Sequence, residues 1–483
     1  MTPPAPPARR WWVLVALLAG LFALNFTFTS FVVALPTVKA QLHTTFSVLT
    51  WVSTGPLLAF GLAAPLFGKA GDLFGYRRLY LLGLAGAMVS AVLTALAPDV
   101  WVLLFARALD GVQGAATGTA SMALILRMFP PADRVKAMGW WSMVGAGGPV
   151  VGVTLGSPII EYLGWRSLFW VQLGLLAASV LVVARVLPGR PGAGILQPAG
   201  DAGGSRWRGM DWIGSWTLSG AVTGVMLVLS VGPVAGWSSW PVVAAAVLAV
   251  AALAVFVHRE RTADHPLIPP RYFRRRNFVL PMGTRAGVMF AYFGAFFLFP
   301  LLMEQVYGWG ITEVGAVSIA RPLVFAVSAP VAGYLAVRIG ERASATFGAV
   351  AVTASMVIFA LLGRSPSMAV VVLALCLSGL GMGVASPSTS STQANEVDPS
   401  EFGVMSAAQQ LATQVGEVAG IQVLITVQES RAGGRHGVDL LPAFHDAFWV
   451  GAVVVAAGVA CALFIRDHPR APAAEAATAA AGP

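Results

Sequence analysis

The chain alternates fourteen apolar runs with short connections rich in charge, Gly or Pro. The runs fall at 11–36, 48–68, 79–97, 101–122, 137–158, 167–187, 212–232, 238–258, 278–303, 313–337, 344–362, 368–390, 402–427 and 445–465. Each is close to the roughly 20 residues a helix needs to cross the hydrocarbon core of a bilayer. A backbone surrounded by lipid must satisfy its own hydrogen bonds, so helices are the form that repeated runs of this length take. Apolar residues fill 57% of the 483 positions and charged residues only 11%. A soluble domain carries about 25% charged residues, and one built from this composition would expose large apolar patches. Disorder is excluded by the same imbalance. The two cysteines, Cys376 and Cys461, lie inside apolar runs and make no disulfide framework. The fold class is an all-α polytopic membrane protein.

The net charge of +9 does not point to nucleic acid, because the basic residues are distributed by loop. With both termini cytoplasmic, 22 of the 30 Lys and Arg fall on the inner side, five on the outer side, and three (Arg107, Arg285 and Arg321) inside spans. That asymmetry sets the orientation. Trp11, Trp12, Trp101, Trp140, Trp141, Trp165, Trp237 and Trp240 stand at span ends, as interfacial anchors. Arg9 and Arg10 precede a run too long for a signal-peptide core and without a small-residue cleavage site, so this run is expected to be the first span. The expected location is the cell (plasma) membrane.

An internal repeat organises the rest. Gly68, Asp72, Gly75, Arg77 and Arg78 follow the second span; Gly333, Val337, Gly340 and Arg342 follow the tenth in the same frame, with the acid replaced by valine. The expected organisation is an N-terminal disordered segment 1–10, a six-helix half 11–187, a Gly/Pro/Arg-rich cytoplasmic linker 188–211, an extra transmembrane hairpin 212–258, a basic cytoplasmic loop 259–277, a second six-helix half 278–465 and a disordered tail 466–483. The basic loop, with Arg271, Arg274, Arg275 and Arg276, reads as topology and headgroup contact. Paired halves are a transporter signature, with the substrate site near the midplane between them.

These residues resemble the major facilitator superfamily, and within it the fourteen-span drug:proton antiporter branch. The loop Gly68–Arg78 is similar to the family's signature loop between spans 2 and 3; its glycines allow a tight turn and close helix approach, and Asp72 can accept charge-assisted bonds as a latch. The family places a basic residue after the acid, where this chain has Leu73. Span 5 carries Gly148, Pro149, Gly152 and Gly156, similar to the antiporter signature of exporters; the glycines make a smooth ridge for helix packing and the proline favours a bend. Gly164-Trp165-Arg166, Asp211–Gly214 and His265-Pro266-Leu267 fit the same branch. The family's acid nine positions before Pro36 is Thr27 here, so a proton carrier must lie elsewhere. The resemblance implies a monomer, with protons and a small molecule as partners.

Ionisable residues inside a span are expensive and mark function by default. Arg107 and Asp110 are three residues apart on span 4 and can pair; the pair either titrates as a cavity opens or is permanently structural. Ser406, Gln410, Gln414 and Glu417 make one polar stripe on span 13, which cannot face lipid and should line the central cavity. Glu417 is the first candidate for proton coupling, with a structural hydrogen bond as the rival role and Asp110 as the second carrier. Arg285 and Arg321 stay charged, and each either binds an anionic group or pairs with Glu417 or Asp110; Arg285 can instead snorkel toward headgroups, and Arg321 is the cavity candidate of the two. Asn25, Thr27 and Gln305 are further cavity candidates, and the aromatics of span 9, from Phe290 to Phe297, form either a binding wall or packing.

No phosphate loop, metal-ligand set or nucleophile motif stands in the sequence, so neither cofactor, metal nor enzymatic activity is expected. The expectation is a secondary active, proton-coupled exporter of small amphiphilic organic compounds. An importer or facilitator of a nutrient or organic anion is the alternative, and a lipid translocator or membrane sensor a second.

Overall fold

The computed structural model describes residues 7–44, 46–187, 211–263, 266–433 and 437–467. The linker 188–211 apart from Asp211, the tail 466–483 apart from Arg466 and Asp467, the first six residues and His265 lie outside the described residues. Residues 7–10, expected as part of a disordered terminus, open the first helix instead.

Every regular element among the described residues is a helix. The first set is α1 (Pro7–Gln41), α2 (Phe46–Phe74), α3 (Tyr76–Ala95), α4 (Val100–Met128), α5 (Pro131–Leu163) and α6 (Trp165–Val186). Next come α7 (Trp212–Ala235), α8 (Trp240–Thr262) and the single turn α9 (Pro270–Phe273). The second set is α10 (Arg276–Gln305), α11 (Ile311–Ser318), α12 (Ala320–Ile339), α13 (Glu341–Ala360), α14 (Met368–Asn395), α15 (Phe402–Ala432) and α16 (Leu441–Leu463). Local chemistry sets several ends. Asp99 caps α4 by accepting from the Trp101 and Val102 amides, Asp211 caps α7 through Gly214, and Pro130-Pro131 opens α5, where a missing amide hydrogen costs nothing.

Eleven helices among the described residues are long and apolar enough to cross a membrane. The long helices outside that group are α4, α5 and α15, of 29, 33 and 31 residues. Two of these carry Arg107, Asp110, Gln410, Gln414 and Glu417. Their lower apolarity therefore reflects polar side chains turned away from lipid. By contrast, α8 exposes Val243, Val247, Leu248, Val250 and Leu253 around its circumference, as a lipid-facing helix does.

Packing repeats the sequence repeat. In the first set α1 packs on α5 and α6, α2 on α4, and α3 on α4 and α6; in the second, α10 packs on α15 and α16, α12 on α14, and α13 on α14 and α16. The sets meet through α2 on α15 and α5 on α12, again a matched exchange, and α7 packs on α2 and α15. The turns after α2 and α12 both place a glycine at positive φ, Gly75 at 94° and Gly340 at 99°, which only glycine adopts without strain.

Candidate functional site

The first arrangement lies at the end of the bundle that the charge count assigns to the cytoplasm. α2 and α15 cross with almost no side chain between them: a Cβ on Gly68 would sit 2.7 Å from the Gly403 carbonyl oxygen. That approach brings Asp72, 6% exposed, over the start of α15. Its carboxylate accepts from the Gly403 amide at 2.9 Å and the Val404 amide at 3.2 Å, and from the Tyr76 hydroxyl. Free amides at a helix N-terminus attract negative charge. Asp72 thus binds the second helix set through its backbone, a contact that needs no basic residue at the position of Leu73. Arg77 serves another role, donating to the Leu187 carbonyl at 3.1 Å at the end of α6, and Arg78 is exposed.

The repeat-related contact is made differently. Gly333 of α12 lies against Val135 and Lys136 of α5. With Val337 in place of the acid, the tie comes from α5: Arg134 donates to Asn395 Oδ1 at 2.7 Å and to the Ala394 carbonyl at 3.4 Å, at the C-terminal end of α14. A cation there complements the helix dipole.

The basic loop also makes contacts within the protein. Tyr272 of α9 donates to Glu401, Arg271 pairs with Glu401 at 3.3 Å, and Arg275 donates to the Glu396 carbonyl at 2.7 Å. The loop therefore clamps the α14–α15 connection, just ahead of the amides that Asp72 holds. Within that connection the Ser400 hydroxyl and amide hold the Asp398 carboxyl below the usual carboxylate range.

A second arrangement lies deeper. The stripe on α15 turns to the first helix set: a Cβ on Gly118 of α4 would sit 2.9 Å from Gln410 Nε2. Gln414 and Glu417 are buried, each 8% exposed. One turn before Glu417, Thr413 accepts from Arg285 Nε at 3.1 Å; Arg285 also donates to Ser386 Oγ, which lies 2.8 Å from Ser142 Oγ of α5. Arg285 is thus buried in a polar chain that joins α15, α10, α14 and α5, rather than reaching toward headgroups. Close crossing of α10 and α15 permits this, since Gly416 and Gly420 lie against the Ala286 and Phe290 backbones.

The other sequence candidates separate. Arg107 pairs with Asp110, which also accepts from Gln113 Nε2 at 2.7 Å. Arg321 is 1% exposed beneath the Tyr292 ring and donates to the Tyr292 carbonyl at 3.2 Å. Asn25 donates to the Leu21 carbonyl at 2.8 Å and packs against Gly148, while Thr27 is buried on the same helix. Gly148 therefore seats α5 on α1; Gly152 is buried and Pro149 lies within the helix. Gln305 is exposed at the end of α10, apart from the others. Trp165, expected at an interface, is instead fully buried against Phe31 and Phe169 and donates to Gln41 at 2.9 Å. Sequence reasoning missed Gly403, Arg134, Ser142, Ser386, Thr413 and Tyr272; none carries a signal of its own, since each acts through a distant partner. No group of His, Cys, Asp and Glu suited to a metal occurs among the described residues.

Matched helix sets around a buried polar stripe define a secondary-active transporter of small organic molecules. The chain belongs to the Major Facilitator Superfamily, whose family model matches residues 15–421. It is a multi-pass plasma-membrane transporter and not an enzyme. It is 28% identical over 92% of its length, and 83% of the relative's, to the tetracenomycin C resistance and export protein of Streptomyces glaucescens. It is 31% identical to the puromycin resistance protein of Streptomyces alboniger, covering 87% of this chain and 82% of that one. The multidrug transporter protein MdtP of Bacillus subtilis is 25% identical, over 90% and 78%. Among solved structures, the human organic anion transporter MFSD10 shares the fold, with a TM-score of 0.67 at 19% identity over 93% of this chain and all of that one.

Proposed function

We propose that the chain exports small amphiphilic organic molecules in exchange for protons, as a monomer with fourteen spans and both termini in the cytoplasm. In this reading α4, α5 and α15 cross the membrane with the eleven apolar helices. Residues 11–187 and 278–465 are two six-helix halves that rock about the midplane, and 212–258 is an added hairpin. The names of relatives that confer resistance or export an antibiotic support the outward direction.

The observation that carries the proposal is Glu417: a buried carboxyl on the polar face of α15, without a salt bridge among the described residues. A carboxylate in such surroundings gains by taking up a proton or by drawing in a counter-charge. Arg285 can supply the counter-charge, since it bonds Thr413, one turn away on α15. When Glu417 is ionised, Arg285 turns toward it and leaves Ser386, which in turn holds Ser142 of the other half. When Glu417 is protonated, Arg285 returns to Ser386 and the contact between halves re-forms. Asp72 closes the cytoplasmic end in the second state. Asp110 already accepts from Arg107 and Gln113, so it is the lesser carrier.

The test is proton movement in acidified inside-out vesicles from cells overproducing the chain. A transported compound should trigger proton efflux from the lumen in wild type and not in Glu417→Gln. Flux of the compound with no proton movement would favour a facilitator, and full proton movement in the variant would remove Glu417 from the role.

A further inference from the structure

Three guanidinium groups are buried in the spans, and their surroundings differ. Arg107 has a carboxylate partner in Asp110. Arg285 has two hydroxyl acceptors in Thr413 and Ser386. Arg321 has one neutral acceptor, the Tyr292 carbonyl, and its Nε and Nη2 have no acceptor among the described residues. No acidic side chain among the described residues pairs with it, although it is among the largest fully buried side chains of the protein.

Such a group is costly. A guanidinium stays charged and carries five donors in a planar fork that suits a carboxylate. Burying it without a counter-charge costs several kcal/mol, and each unsatisfied donor adds to that. The chain nevertheless builds a frame for it. The Tyr292 ring lies 5.5 Å from the guanidinium carbon, a cation–π contact that fixes the fork without neutralising it. On α14, Gly379 lets the backbone of Arg321 approach so closely that a Cβ there would lie 2.1 Å from the Arg321 carbonyl oxygen. One turn along α12, Phe325 belongs to the apolar cluster that also takes in Ala146 of α5. The fork thus stands among aromatic surfaces, over Tyr292, whose ring packs edge-on against Phe325, with two donors held in reserve.

We propose that Arg321 receives an acidic group of the transported molecule, so that the substrates are amphiphilic organic anions or zwitterions whose carboxylate or acidic oxygen takes the Nε and Nη2 donors while an aromatic part lies on Tyr292 and Phe325. This rests on the exporter reading and adds the substrate's charge class to it. A bidentate contact of this type needs the planar fork, so lysine is a partial replacement at best.

The test uses the full chain in lipid nanodiscs and two xanthene dyes of opposite charge, fluorescein and rhodamine 123, with equilibrium binding read by anisotropy in chloride and in gluconate buffers. Wild type is expected to bind fluorescein saturably in both buffers. Arg321→Gln should weaken that binding roughly ten- to hundredfold, Arg321→Lys should weaken it less, and neither variant should shift rhodamine 123 by more than about twofold, a change of only ~0.4 kcal/mol. Melting of the dye-free protein decides independently of any ligand. Arg321→Met removes an unpaired buried charge and should melt at or above wild type. Fluorescein bound equally by wild type and Arg321→Gln, rhodamine 123 bound by a wild type that ignores fluorescein, loss of fluorescein binding in chloride alone, or Arg321→Met melting clearly below wild type would each overturn the assignment. Glu417-dependent proton movement retained beside any of these results leaves the exporter reading standing; its loss in wild type removes that reading without touching the binding result.

Discussion

Asp72 on α2 accepts a hydrogen bond from the Gly403 amide of α15 at 2.9 Å, while Gly68, one turn earlier, lies against that same Gly403. The acid and the glycine act as one device: the small residues bring two helix backbones together, and the carboxylate caps the helix end that this exposes. If this contact is the proposed latch, charge and bulk should affect it separately.

Loss of charge weakens it. Asp72→Asn keeps the shape but removes charge-assisted bonds worth about 1.5 kcal/mol or more, so the latched population should fall roughly tenfold. Val404→Cys, in a chain with Cys376 and Cys461 replaced by Ser, reports on this end. In inside-out vesicles, an impermeant maleimide should label it about tenfold faster once Asp72→Asn is added. Equal rates would show that Asp72 does not hold the closed state.

Added bulk prevents closure. A Cβ on Gly403 would lie 2.3 Å from the Gly68 carbonyl oxygen, so Gly403→Ala should abolish transport and leave the Val404→Cys reporter permanently reactive. Gly145 faces open space, and Gly145→Ala should transport as wild type does. Similar transport in the two variants would contradict the close crossing.

Asp110 is held by two donors, Arg107 and Gln113 Nε2, as a structural pair is. Asp110→Asn leaves the Arg107 charge buried without an ionised partner, at a cost of about 3 kcal/mol. Its melting temperature should drop, and the double variant with Arg107→Gln should recover most of the loss. If Asp110→Asn instead melts as wild type while losing proton-driven transport, Asp110 is a carrier and not a structural partner.

The clamp on the α14–α15 connection has a pH signature. Asp398 is held below the usual carboxylate range by the Ser400 hydroxyl and amide. A carboxyl depressed in the folded state contributes stability above its ordinary range and loses it as pH falls through the folded-state value. Asp398→Asn should therefore lower the melting temperature at neutral pH, and the gap from wild type should narrow as acid protonates the native residue. A gap that stays constant with pH would assign the effect to shape instead of charge.

Much of the fold was legible because lipid imposes a simple rule on sequence. The apolar runs mark the helices to within a few residues at most ends, and the Gly68 and Gly333 frames mark the repeat that the packing also shows. The Arg107–Asp110 pair was legible because its spacing is local. The partner of Asp72 was not, since backbone amides have no letter in a sequence and stand 331 residues away. Arg271 and Arg275 read as topology and headgroup contacts from charge density alone; their additional carboxylate partners were not legible, because these lie on a distant loop. Snorkelling stood open for Arg285 because its acceptors, Ser386 and Thr413, look like ordinary helix residues in isolation.

The central claim is that the charge on Glu417 couples protons to substrate movement. It is tested most directly in liposomes holding purified chain, by comparing substrate exchange without a gradient to accumulation driven by a pH difference. The account expects wild type to do both, and Glu417→Gln, held in the state that the protonated residue favours, to accumulate none and to exchange substrate far more slowly than wild type. Accumulation by Glu417→Gln equal to that of wild type, under the same pH difference, would contradict it.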